Sequence, residues 1–141
     1  MTAASLQSPA AGKPLPAAAQ PTWMTVTGWV ITGLVVAMLT FSAVMKLAQP
    51  AEVLKEFVRL GYAEKAALTI GLVEIGCALV YLIPRTAVLG AILLTGYLGG
   101  AIATHVRIDD PFIPPIIGGV LVWLGIFLRE PRLRTILPWR N

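Results

Sequence analysis

Four apolar stretches occupy most of the chain between Met24 and Leu128, and they constrain the fold more than any other feature. Measured against the roughly 20 residues a helix needs to cross a hydrocarbon core, they fall at about 24–45, 66–83, 86–104 and 115–128, the last being short. With 57% hydrophobic residues, 13% charged residues and a mean hydropathy of +0.79, the 141-residue chain is too apolar for a soluble domain of its size. The expected fold is all-α, an antiparallel bundle of four transmembrane helices.

The flanks read differently. Residues 1–22 are rich in Ala and Pro, carry only Lys13 as a charge, and are expected to be a disordered tail. They lack the pattern of a signal peptide, so the first stretch reads as a retained helix. Residues 129–141 read as a basic tail with Arg129, Arg132, Arg134 and Arg140. Between the first two stretches, 50–61 opens on Pro50 and closes on Gly61. Val53, Leu54, Phe57 and Val58 share one face there and Glu52, Lys55, Glu56 and Arg59 spread over the other, the pattern of a short amphipathic surface helix.

Pro84-Arg85 is too short for anything but a tight hairpin between the second and third stretches. Gly96-x-x-x-Gly100 in the third, and Gly118, Gly119 and Gly125 in the fourth, are expected to let neighbouring backbones approach closely. Among the tryptophans Trp23, Trp29, Trp123 and Trp139, the first and last are best placed as interface anchors. Four spans put both termini on one side, with six basic residues there (Lys13, Arg85, Arg129, Arg132, Arg134, Arg140) against five opposite (Lys46, Lys55, Arg59, Lys65, Arg107). The cluster behind Leu128 favours cytoplasmic termini. The net charge of +4 then speaks for anionic lipid, with no nucleic-acid partner expected.

One acid interrupts the apolar stretches. Glu74 stands mid-way along the second, with Gly71, Ala78 and Tyr81 on its helix face and Cys77 beside it. A carboxylate at that depth needs a partner, a proton or a cavity, which makes Glu74 a candidate for handling protons or holding a ligand, or else a structural hydrogen-bonding group. Lys46 ends the first stretch one turn beyond Ser42, at the end where the second begins; Glu74 lies about 13 Å deeper at helical rise, so whether the two meet is left open. Its alternative is to extend toward the lipid headgroups. Thr104-His105-Val106-Arg107 ends the third stretch, with Tyr97 two turns deeper and Asp109-Asp110 just beyond. His105 is thus either a proton-handling group near the rim or an interfacial histidine beside a solvated turn.

Cys77 is alone, so no intramolecular disulfide or C-x-x-C relay exists, and a single histidine cannot supply two axial ligands to a haem. No metal site is expected, because His105 with Asp109, Asp110 or Glu74 lacks a ligand spacing that supports one.

The chain from about Thr25 to Pro138 resembles the DoxX-like family of small four-helix membrane proteins. The resemblance is carried by Phe41-Ser-Ala-Val-Met-Lys-Leu47, Gly71-Leu-Val-Glu-Ile-Gly76, Tyr81-Leu-Ile-Pro-Arg-Thr-Ala-Val-Leu-Gly90, Leu94-Thr-Gly-Tyr-Leu-Gly-Gly-Ala-Ile-Ala-Thr-His-Val-Arg107 and Leu121-Val-Trp-Leu-Gly125. It implies a four-helix membrane bundle, picks out Lys46, Glu74 and His105, and links the family to quinone-coupled sulfur-compound oxidation and membrane redox complexes. The function expected from it is an accessory subunit of a quinone-linked redox system with no cofactor of its own, in a bacterial inner (plasma) membrane, among protein partners or as a homo-oligomer. Ser42, Lys46, Glu74 and Tyr97 are its expected ligand-binding residues, for a quinone or another lipophilic molecule. Two alternatives stand beside it: a small proton-coupled carrier built on Glu74, and a membrane scaffold or assembly factor.

Overall fold

A computed structural model describes residues 21–136, and every described element is helical. Of the tail expected at 1–22, residues 1–20 lie outside the described residues, as do Trp139 and Arg140, while Thr22 already belongs to the first helix behind Pro21. Helix α1 (Thr22–Ala48) starts behind Pro21 and ends at Gln49, which turns into the left-handed region at φ 51° ahead of Pro50. Pro50 then leads into α2 (Ala51–Arg59), which stops at Leu60 and Gly61, the latter at φ 81° where glycine has no Cβ to clash. Helix α3 (Ala66–Leu82) is cut off by Ile83-Pro84, and the Thr86 hydroxyl donates to the Val80 carbonyl across the hairpin at 2.8 Å. Helices α4 (Ala87–Arg107) and α5 (Ile113–Arg129) are joined by a turn with Asp109 at φ 56°; prolines 114 and 115 occupy the first turn of α5, where their missing N–H groups cost nothing. A short α6 (Pro131–Ile136) follows, where sequence alone predicts only a tail.

The four long helices pack as a ring, α1 against α3 and α5, and α4 against the same two. Each neighbour in the chain runs antiparallel to the last, so the end of α1, the start of α3, the end of α4 and the start of α5 meet at one end of the bundle, under α2. Val35, Leu39, Ala78, Leu94, Val122 and Ile126 fill the centre. The outside is also apolar: Leu34, Phe41, Leu72, Ile92 and Val120 are more than half exposed on the outward faces of the four helices. An apolar exterior of this extent is unstable in water and suits hydrocarbon. Helices α1 (27 residues) and α4 (21 residues) are long and apolar enough to cross a membrane, while α3 and α5 are shorter apolar helices of 17 residues each.

The glycines divide in a way their spacing did not predict. A Cβ on Gly90 would run into the Tyr81 backbone, and one on Gly28 would come within 2.7 Å of the Arg129 nitrogen, so these positions set close helix contacts. Gly125 behaves as expected, pressed against Tyr81 and Thr32. Gly96 and Gly100 do not: nothing lies within 4 Å of a Cβ on either. Their missing side chains leave space inside the bundle instead of drawing two helices together.

Candidate functional site

That space is a cavity of about 480 Å³ at the α2 end of the bundle. Its walls come from α1 (Met38, Leu39, Ser42, Lys46), α3 (Ile70, Glu74), α4 (Gly96 to His105) and the first turn of α5 (Pro114, Pro115). Phe57 of α2, with Leu60 and Tyr62 just after it, covers it. Ser42, Lys46, Glu74, Tyr97 and His105, five residues scattered over the sequence, all line this one space.

Lys46 and Glu74 do meet. The Lys46 ammonium donates to Glu74 Oε2 at 2.8 Å and to the Ser42 hydroxyl at 2.5 Å, and Ser42 donates to the same carboxylate oxygen at 3.3 Å. Glu74 is 2% exposed and Lys46 16% exposed. Two features bring them together. Side chains on a helix lean toward its N-terminus, which points Lys46 down into the bundle from the last turn of α1. Gly71, one turn before Glu74, lets α1 lie so near that an added Cβ would be 3.0 Å from Lys46 Cβ and 3.2 Å from the Ala43 carbonyl. Lys46, Ser42 and Glu74 form one polar pole of the cavity, and Tyr97 of α4 lines the same cavity, so three helices contribute polar groups to it. Cys77 sits a turn deeper, buried and with a free thiol.

A second pole lies at the rim. His105 Nδ1 is 2.7 Å from Asp110 Oδ2, and Asp110 Oδ1 is 3.1 Å from the Arg59 guanidinium on α2. The hydrogen bond with His105, reinforced by Arg59, holds the Asp110 carboxyl below its ordinary range. The bidentate contact with Arg59 does the same for Glu56. Arg59 thereby ties α2 to the α4–α5 turn. Two further contacts hold the cover: Arg107 donates to the Leu60 carbonyl, and the Tyr62 and Thr104 hydroxyls share a 2.8 Å hydrogen bond. Sequence reasoning passed over Tyr62, Thr104 and the pairing of Asp110, since the only available signal was a carboxylate five residues after a helix-ending histidine. No group of three or more potential metal ligands occurs among the described residues.

The opposite end holds a feature that charge counting misread. Arg129, assigned above to a solvated basic tail, is the last residue of α5 and only 9% exposed. Its Nη2 donates to the Tyr81 carbonyl at 2.7 Å, and its guanidinium lies 4.5 Å from the Trp29 ring centre and 4.9 Å from that of Tyr81. Nε and Nη1 are buried without hydrogen-bond partners among the described residues. The Tyr81 hydroxyl donates to the Val122 carbonyl at 2.8 Å and lies 3.4 Å from the Thr32 hydroxyl, so this cluster knits α1, α3 and α5. Trp29 is thus a stacking partner of the arginine, and Trp123 donates to Thr95 at 2.9 Å.

The chain belongs to the DoxX-like family, whose model matches residues 30–127, from within α1 to near the end of α5. Both poles of the cavity fall inside that match, and Arg129 falls just outside it. No curated protein and no solved structure matches the chain. Family membership together with the two long apolar helices supports a membrane protein.

Proposed function

We propose that this DoxX-like protein crosses the membrane four times and binds the ring of a lipophilic ligand, of the quinone class, as an accessory subunit of a membrane redox system. The observation that carries this is the cavity: about 480 Å³ of largely apolar space whose few polar groups, Lys46, Ser42, Glu74, Tyr97 and His105, converge on its interior. Such a site, apolar with a small number of placed polar groups, orients a small ring while excluding water. Lys46 supplies a donor and a positive charge for a ligand oxygen, and Glu74 holds that ammonium inside the bundle. Electrons would come from a partner protein, because the residues offer binding and proton-handling groups and no dithiol or haem ligand pair. Cytoplasmic termini rest on Arg132 and Arg134 behind α5; with Arg129 and Lys46 both drawn into the bundle, the terminal side carries five basic residues against four opposite.

A proton-coupled carrier is the competing reading, and it requires Glu74 to trade the Lys46 ammonium for a proton during each cycle. The two readings separate in one experiment. Protein extracted from its own membranes is examined by native mass spectrometry and lipid analysis, alongside Lys46→Met and Glu74→Gln prepared identically. A quinone-class lipid retained by the parent and depleted in both variants is the expected result. A parent free of any such lipid, together with proton-coupled flux in vesicles that Glu74→Gln abolishes, overturns it in favour of the carrier.

A further inference from the structure

The two poles of the cavity have opposite hydrogen-bonding character. At the first, the Lys46 ammonium gives two of its three protons to Ser42 and Glu74 and keeps one to donate to a ligand oxygen, while the Ser42 proton goes to Glu74. At the second, the imidazole of His105 lines the cavity while Nδ1 is taken by Asp110 at 2.7 Å. Asp110 also receives Arg59 at 3.1 Å; His105 and Arg59 keep it ionised against the like charge of Glu56 on α2, and it is therefore able only to accept. A carboxylate that only accepts fixes the proton of a neutral imidazole on Nδ1. Nε2, the other ring nitrogen of this cavity-lining residue, is then a bare acceptor.

We infer that Asp110 is a positioning residue that makes His105 a hydrogen-bond acceptor toward the cavity, so that the site selects a lipophilic ligand bearing a hydroxyl, a phenol or hydroquinone, over the corresponding carbonyl compound. A ring hydroxyl donates to Nε2, whereas a quinone carbonyl placed there leaves two acceptors facing each other. This deepens the reading of the cavity as a ring-binding site and rests on it. One satisfied hydrogen bond against one unsatisfied acceptor corresponds to roughly tenfold in affinity. Lys46, held in place by Ser42 and Glu74, supplies the complementary donor pole for the ring's other oxygen.

The chain has a single histidine, so nitrogen-15 spectra of histidine-labelled protein in nanodiscs, purified without a histidine tag, report His105 alone. The neutral ring is expected as the Nδ1–H tautomer, changing toward Nε2–H in Asp110→Ala and unchanged in Asp109→Asn. A parent in the Nε2–H tautomer, or with both ring nitrogens protonated at pH 7, overturns the inference without recourse to any variant, because Nε2 is then a donor. In a second arm, duroquinol and duroquinone are titrated anaerobically against the same samples. The quinol is expected to bind about tenfold tighter to the parent, with the preference falling to near unity in Asp110→Ala. Equal affinities with an Nδ1–H ring overturn the selectivity while leaving the ring-binding site standing. Binding of neither compound overturns the ring-binding site and the selectivity together.

Discussion

The two ends of the bundle each bury one positive charge, by opposite means. At the α2 end, Lys46 is neutralised by a carboxylate beside open space; at the other, Arg129 forms no salt bridge among the described residues and lies on a carbonyl and two aromatic faces in tightly packed surroundings. A lysine ammonium is a compact, strongly hydrated charge that needs full compensation, whereas guanidinium is weakly hydrated and stacks on rings. The paired, cavity-side charge therefore has something to offer a ligand. The stacked one is a pin between helices.

If that contrast is right, variants at the two ends should separate stability from ligand retention. The largest expected loss of stability is from Arg129→Ala, about 3 kcal/mol, because it empties a packed site and strips the Tyr81 carbonyl of its donor. Arg129→Met should recover more than half of it, since the stem still packs and two of the three nitrogens already lack partners. Detergent-resistant thermal unfolding measures both, and equal losses for Ala and Met would show that the charge, not the packing, is the pin. Ligand retention in these variants should follow the folded fraction only.

Lys46→Met should cost about 2 kcal/mol, below the roughly 3–5 kcal/mol of a fully buried broken pair because Lys46 is partly exposed. Adding Glu74→Gln should restore most of that stability without restoring the ligand. A double-mutant cycle read by unfolding and by lipid analysis tests the pair, and additive losses would mean the two groups are not coupled.

Gly71→Ala should be milder, about 1 kcal/mol, as Ala43 and Lys46 give way. Its effect on ligand retention should exceed its effect on stability, because it pushes Lys46 away from Glu74. Retention that simply tracks stability would remove Gly71 from the site.

The smallest effect concerns Asp110. Its carboxyl is held low when folded, so its contribution is present above the ordinary carboxylate range near pH ~4 and is lost as pH falls through the folded value. Asp110→Asn should flatten that part of the pH–stability curve, and an unchanged acid limb would argue that the His105 and Arg59 contacts add nothing to folding.

How legible these ends were follows from the kind of signal each sends. Apolar runs and the Pro50, Pro84 and Gly61 punctuation marked the helices to within a few residues, because hydrocarbon length and backbone restriction are local properties. Ser42, Lys46, Glu74, Tyr97 and His105 stood out because polar groups are rare among apolar ones, and all five line one cavity. Their meeting was not legible, since it depends on how closely α1 lies on α3 at Gly71. Arg129 was misread because a charge followed by Arg132 and Arg134 looks solvated, and only tertiary packing turns it inward. Gly96 and Gly100 carry the spacing of a packing face yet border empty volume, a distinction set by what the facing helix presents.

Three residues of the cavity wall, Met38 of α1 and Gly96 and Gly100 of α4, are also exposed, so the wall is thin on the bundle's flank as well as at its covered end. For a four-span protein that flank is hydrocarbon. A molecule with a long isoprenoid or acyl tail could seat its ring between the poles and leave the tail dissolved in the bilayer. Recognition would then be blind to chain length, and the protein would sample its ligand from the two-dimensional pool of the membrane without raising α2 at all.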